Sequence, residues 1–320
     1  MERVRATVTK IVGNETEVED DQGRTLRCDL RGRLFRKKKV RLAVGDRVEI
    51  DLVEDPEDGG EGGPRGVIET LLPRRNAMHR ARDFKRDQVL CANVDQVLVV
   101  VAAFDPPYKR AFVDRVLVGL ERDGIDACLV INKIDLADAE YRAFVTEDGE
   151  VYRRLGYRVI LASATSGEGL DTLRGVMSGK LSAVVGPSGV GKSTLLNRLY
   201  PGVGLRTGEV SEVDGRGRHT TTSAELIRLE GGGWVADTPG LRAFGLWDVT
   251  TEEVERGFRE LVTHGAACKF RDCAHDKEPS CAVRSASESG AIDPERYESY
   301  LKLLDEARSS EAERQAARRR

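Results

Sequence analysis

The chain has 320 residues, 40% hydrophobic and 33% charged, with 51 Lys and Arg against 54 Asp and Glu for a formal net charge of −3. That length and mixture fit a soluble globular protein of two or three domains, and no run of 18 apolar residues is present to cross a membrane. The start, Met1-Glu2-Arg3-Val4-Arg5, lacks an apolar secretory segment, and the six cysteines are too unevenly spread for a disulfide framework, so a cytoplasmic protein is expected.

Residues 1–72 read as short alternating strands at 4–8, 16–18, 26–28, 48–50 and 66–68. Such spacing, with Gly or Asp turns between, predicts a small β-barrel. Ten Lys or Arg between Arg24 and Arg47, against Asp29 and Asp46 alone, make it basic. The stretch 31–41 carries the charge that phosphate-backbone binding requires, although a solvated charged face would look the same. With Phe35 nearly alone as an aromatic, structured RNA read by charge and shape is favoured over single strands held by stacking. A glycine-rich acidic turn follows at 54–65, then a basic connector from Pro73 to Arg86. From residue 96 the pattern changes to continuous apolar runs at 96–102, 127–131, 158–162, 181–185 and 234–237, separated by helical stretches. Runs of this kind mark parallel strands buried on both faces, so one α/β sheet of about six strands is expected. After residue 246 the pattern is helical, with helices expected at 252–262 and 296–308 and a basic, fraying end at 314–320.

The segment Gly186-Pro187-Ser188-Gly189-Val190-Gly191-Lys192-Ser193 lies between a strand and a helix expected to start near Thr194. Its glycines let successive backbone N–H groups turn toward phosphates, Lys192 adds charge, and the Ser193 hydroxyl is placed for Mg²⁺. Asp237 ends an apolar strand and is followed by Thr238-Pro239-Gly240; it would hold Mg²⁺ through water, with the Gly240 N–H facing a γ-phosphate. Asn132-Lys133-Ile134-Asp135, also at a strand end, suits base recognition. The Asp135 carboxylate accepts from guanine N1–H and the exocyclic amine, which adenine lacks, so GTP is favoured over ATP. Ser163-Ala164 completes the base-reading set. In an ordinary GTPase the phosphate loop comes first; here the base-reading segments precede it. Gly215 to Thr222 lies where switch I belongs, with Thr220 or Thr221 reaching Mg²⁺ and the γ-phosphate. Leu241 occupies the position that carries a water-orienting glutamine in Ras-like GTPases. His219 is the candidate replacement, although a lone loop histidine is by default a solvated side chain. An RNA-binding protein that holds GTP with negligible turnover is the alternative that Leu241 keeps open. Cys268, Cys273, His275 and Cys281 match a closed tetrahedral Cys₃His zinc site, which is structural because no coordination position is left open.

The permuted order, residues 215–222, Asp237-Thr238-Pro239-Gly240 running into Phe244-Gly245-Leu246-Trp247, and the cysteine and histidine spacing together resemble the ribosome small-subunit-dependent GTPase A family (RsgA, also called YjeQ) over nearly the full length. The resemblance implies a multidomain protein: an N-terminal β-barrel of OB-fold type binding RNA at 1–72, a central circularly permuted α/β P-loop GTPase domain at 73–246, and a C-terminal α-helical zinc-binding domain at 247–320. It implies action in late maturation of the small ribosomal subunit, weak intrinsic GTP hydrolysis stimulated by that subunit and its rRNA, and a monomer. On this reading His219, Lys192 and Thr221 are catalytic. GTP is bound by Asn132, Lys133, Asp135, Ser163, Ala164, Gly186, Ser188, Gly189, Val190, Gly191, Lys192, Ser193, Thr194, Thr220, Asp237 and Gly240, and Mg²⁺ by Ser193, Thr221 and Asp237. One Zn²⁺ is held by the four-residue cluster. Since the permuted order runs switch II into whatever follows residue 245, the zinc-binding part is expected to read the nucleotide state.

Overall fold

Strand β1 (Arg3–Val12) turns Ala6 and Val8 to one face and leaves Arg3 and Arg5 on the other, the period-two alternation of a half-buried strand. In the computed structural model, which describes residues 3–13, 15–30, 41–53, 65–80, 88–204, 224–237 and 249–318, β1 pairs antiparallel with β2 (Glu15–Asp20) and β2 with β3 (Thr25–Leu30). The ladder continues from β3 in parallel to β5 (Arg65–Leu71), from β5 antiparallel to β4 (Arg47–Val53), and from β4 back to β1. Five strands thus close a barrel around Ala6, Val8, Val18, Leu26, Cys28, Val48, Ile50 and Ile68.

Beyond it, β8 (Gln96–Ala102), β9 (Asp126–Asn132), β10 (Arg158–Leu161), β11 (Leu181–Val185), β12 (Ala224–Arg228) and β13 (Trp234–Asp237) form a sheet in the order β10-β9-β8-β11-β13-β12, parallel except for β12. Every residue of β8 is buried, as its apolar run predicted for a strand covered on both faces. Helices α1 (Arg110–Asp123) and α2 (Ala139–Arg154) cover one face with Val113, Leu117, Val145 and Tyr152. Helices α3 (Leu170–Met177) and α4 (Lys192–Leu199) cover the other with Leu173, Met177, Leu195 and Leu199.

Barrel and sheet are one structure. Only residues 3–7 of β1 close the barrel onto β4, while Lys10 and Ile11, past an irregularity after Val8, pair with Glu225 and Ala224 of β12. The result is a single eleven-stranded sheet, tied at the junction by Lys10 to Glu225 at 3.0 Å and by Arg228 to Glu19.

Three expectations need correction. The connector after Pro73 is more than a basic stretch: β6 (Ala77–Arg80) and β7 (Gln88–Ala92) form a hairpin. Arg74 forks onto the fully buried Asp46 at 2.6 and 2.8 Å, and Arg75 pairs with Asp95 at 2.6 Å, so two of its charges are engaged within the protein. The expected helix 252–262 is two helices, α5 (Thr251–Gly257) and α6 (Arg259–Gly265). Gly257 explains the break: a Cβ there would lie 2.8 Å from Val118 Cα, so α5 ends hard against α1, and the chain turns to bury Phe258 completely. Helices α7 (Ala282–Glu288) and α8 (Pro294–Arg318) complete this part, and α8 runs ten residues past the expected end at 308. Residues 31–40 and 54–64 lie outside the described residues, as do most of the switch positions.

Candidate functional site

The phosphate loop leaves β11 at Gly186, where an added Cβ would sit 2.1 Å from the Val100 carbonyl oxygen, and it closes at Gly191, where one would sit 2.7 Å from Asn132 Nδ2. Only glycine permits both approaches. Between them Val190 is buried while Ser188 and Gly189 face solvent. Helix α4 begins at Lys192, two residues before the expected start, with no side chain capping it, so its first N–H groups point back into the loop. The Lys192 ammonium curls back to the carbonyls of Gly186 and Pro187 at 2.8 and 2.6 Å. Ser193 is half-buried on the first turn and Thr194 exposed.

Asn132 ends β9 with 1% exposure and donates from Nδ2 to the Val190 carbonyl at 2.8 Å, bringing the base-reading segment and the phosphate loop together. Its backbone carbonyl accepts from the Ala103 N–H at 2.7 Å, and its Oδ1 has no partner among the described residues. Lys133 follows in a left-handed conformation, φ 60°, and reaches the Asp105 carbonyl at 2.5 Å. Asp135 stands exposed on a single 3₁₀ turn. Ser163 is fully buried, and its Oγ accepts from the N–H groups of Thr165 and Ser166 at 3.2 and 2.9 Å, fixing the turn that presents Ala164. The Ala162 carbonyl accepts from the Ile134 N–H at 3.2 Å, which joins this turn to Asp135's own. All three segments leave the carboxyl ends of parallel strands of one sheet, β10 beside β9 and β11 across β8, where α/β sheets bind ligands. Asp237 ends β13, beside β11, with its backbone described and its side chain outside the description. His219, Thr220, Thr221, Gly240 and Leu241 lie outside the described residues.

The second constellation is the cysteine cluster. The ligand atoms of Cys268, Cys273, His275 and Cys281 lie within 4.8 Å of one another. Cys268 and Cys281 Sγ stand 3.5 and 3.6 Å from His275 Nδ1, and 4.0 Å apart. Thiolates about 2.3 Å and an imidazole nitrogen about 2.0 Å from a tetrahedral ion would give edges of about 3.5–3.8 Å, so the donor set fits zinc. Burial lowers the His275 pKa and favours the neutral ring that a ligand must be. Cys28, Cys91 and Cys128 are different: each is buried alone, and burial pushes each thiol up to about 12, which leaves it inert.

Two groups of residues escaped the sequence reading. Glu278 gathers the N–H groups of Ala274, Asp276 and Lys277 at 3.0–3.1 Å, while Tyr297 and Tyr300 of α8 donate to the carbonyls of His275 and Ala274 at 2.6 and 2.7 Å. Together they hold the loop in which His275 adopts φ 59°. Arg296, 1% exposed, donates to Asp114 of α1 at 2.5 Å and forks onto Glu260 at 2.7 and 3.1 Å, its guanidinium 4.5 Å from the Phe258 ring centre. Tyr152 donates to the same Asp114 oxygen at 2.7 Å, and Arg110 bridges Asp148 of α2 and Asp293 at the start of α8. No spacing rule flags such a network; only the rarity of buried charge could have.

Comparison with known proteins places this geometry. Residues 71–247 match the family model described as RsgA GTPase. The small ribosomal subunit biogenesis GTPase RsgA of Moorella thermoacetica is 46% identical over 287 residues, 90% of this chain and 92% of that protein. Its counterpart of the same name from Chlorobaculum tepidum is 42% identical over 308 residues, 95% and 98% of the two chains. Among solved structures, YjeQ from Thermotoga maritima matches with a TM-score of 0.78 at 37% identity, over 96% of this chain and 99% of that one. YloQ, described as a circularly permuted GTPase, matches with a TM-score of 0.75 at 30% identity over 96% of each.

Proposed function

The chain belongs to the RsgA GTPase family, and from that premise we propose that it hydrolyses GTP as a docking-dependent switch in biogenesis of the small ribosomal subunit. The observation that carries this reading is the 2.8 Å bond from Asn132 to the Val190 carbonyl. It joins the segment after β9 to the phosphate loop 58 residues later, which supports one nucleotide site assembled from the reversed order.

In this reading Asp135 accepts from the guanine edge, the Lys133 stem lies against the base, and Ser163 and Ala164 close its other rim. The N–H groups from Ser188 to Thr194 turn toward the phosphates, and Lys192 leaves the carbonyls of Gly186 and Pro187 for them. Ser193 on the first turn of α4, Asp237 at the end of β13 and Thr221 would hold a magnesium ion, which would supply neutralisation of phosphate charge. Thr220 and the Gly240 N–H meet the γ-phosphate, and His219 orients the attacking water in place of the glutamine that Leu241 replaces. Cys268, Cys273, His275 and Cys281 would hold a structural zinc, which lends folding energy to their loop. We place the domain boundaries near residues 72 and 246, and the cellular site, action on a late cytoplasmic precursor by a monomer, follows the family reading.

The test is GTP turnover with and without purified small subunits at low salt. Stimulation is expected, and unchanged turnover in the presence of bound subunits would reject the docking-dependent mechanism.

A further inference from the structure

Seven large hydrophobic side chains are exposed among the described residues, and two of them belong to one cluster of rings. Phe104, 52% exposed, meets Tyr141 edge-on at 5.9 Å, and Tyr141 meets Phe144, 48% exposed, at 5.6 Å. Leu136, 52% exposed, ends the 3₁₀ turn that leads into the same helix α2. Contiguous apolar surface of this kind marks interaction sites, where scattered single residues do not.

The charges around the rings select the partner. Asp105 is exposed beside Phe104, and Asp138, Glu140 and Glu147 are exposed on or at the start of α2. Glu140 and Glu147 lie one turn to either side of Phe144, on its face of the helix. The nearby cations are mostly engaged: Arg142 forks onto Glu168, and Lys133 is bonded to the Asp105 carbonyl, leaving Lys109 exposed. An RNA backbone would meet four carboxylates here, a repulsive arrangement, whereas a basic polypeptide would find both an apolar platform and counter-charges.

We propose that Phe104, Tyr141 and Phe144 form a docking surface for a basic protein segment of the small subunit, which lays an apolar side chain on the rings and its Lys or Arg against Asp105, Asp138, Glu140 and Glu147. This rests on the functional reading above. The surface adjoins the nucleotide site, because Ala103 is bonded to Asn132 and Asp105 to Lys133.

The experiment places p-benzoylphenylalanine at position 144 of the full chain, and at exposed position 143 as the off-face control, and irradiates each bound to purified small subunits. A cross-link from 144 to a ribosomal protein, weaker from 143, is expected. In parallel, Phe104→Ser with Phe144→Ser weakens subunit binding about tenfold, as loss of interface aromatics does, and leaves turnover without subunits unchanged. Cross-links to RNA alone, or none while subunits bind and stimulate turnover, overturn the docking surface and leave the functional reading intact. Failure of the unsubstituted chain to bind subunits takes down both.

Discussion

Asn132 illustrates how little side-chain chemistry a nucleotide site needs once the backbone is placed: its amide spans two strands' ends and its carbonyl anchors a third. The placement of the three motifs after strands β9, β10 and β11 was legible because each is a short segment following an apolar run, where spacing alone positions it. His219, outside the described residues, is proposed only by elimination, through Leu241. His219→Ala is expected to lower kcat about 10²-fold, the usual worth of a positioned acid, base or water-orienting group, with GTP affinity nearly unchanged. Equal loss of binding, measured with a fluorescent GTP analogue, would make it a structural residue instead. Asp20 was not legible at all. Its burial would raise its pKa, but the N–H groups of Gln22 and Arg24 and the Arg24 guanidinium more than offset this and hold it below the ordinary carboxylate range. A depressed pKa in the folded state gives stability that is complete above the unfolded value, about 3.9, and fades as pH falls through the folded one. Asp20→Asn is therefore expected to cost about 1–2 kcal/mol at pH 7. In urea titrations the gap from the unsubstituted chain should close toward pH 3; a gap constant with pH would show that the charge is immaterial.

At the scale of elements, the barrel strands and the parallel strands were legible because alternation and continuous apolar runs report burial directly, whereas β6, β7 and β12, which carry neither pattern, were not expected. Helix limits in the C-terminal part were read less well. The break at Gly257 depends on Val118, more than a hundred residues earlier in the chain, and local periodicity carries no trace of such a neighbour. Helix α8 shows what that part is built around. Arg296 faces α1 through Asp114, while its neighbour Tyr297 and, one turn on, Tyr300 face the cysteine loop. One turn of helix thus touches both the central sheet's own helix α1 and the cysteine loop. The permuted order alone would join the two parts only through the segment after Asp237; α8 adds a buried contact between them. Arg296→Met would strand Asp114 and Glu260 without their cation, at a cost of about 3–5 kcal/mol. The expected readout is a lower Tm together with faster amide exchange in α1; a lower Tm with α1 protection intact would confine the damage to the C-terminal helices.

At the scale of the molecule, the reading divided the chain into barrel, GTPase and helical parts, yet gave no hint that the first two share a ladder. The pairing of Lys10 and Ile11 with β12 involves residues more than two hundred positions apart, and their sequence resembles any other strand end. Exposed pairs such as Lys10 with Glu225 contribute only about 0.2–1 kcal/mol, so the main-chain bonds and the covering of β12 matter more. A chain beginning at residue 73 would leave β12 as a bare edge. It is expected to self-associate with rising concentration, and sedimentation would detect this; a strictly monomeric fragment would show the edge to be harmless.

The strand that leaves the expected switch I is thus also a boundary strand of the barrel. Modules joined by a linker can be exchanged, deleted or reoriented freely, but modules that share backbone hydrogen bonds inherit each other's errors. For this chain, an insertion of one residue near Ala224 would shift register on both sides at once. The central sheet and the barrel are therefore constrained to vary together as a single unit.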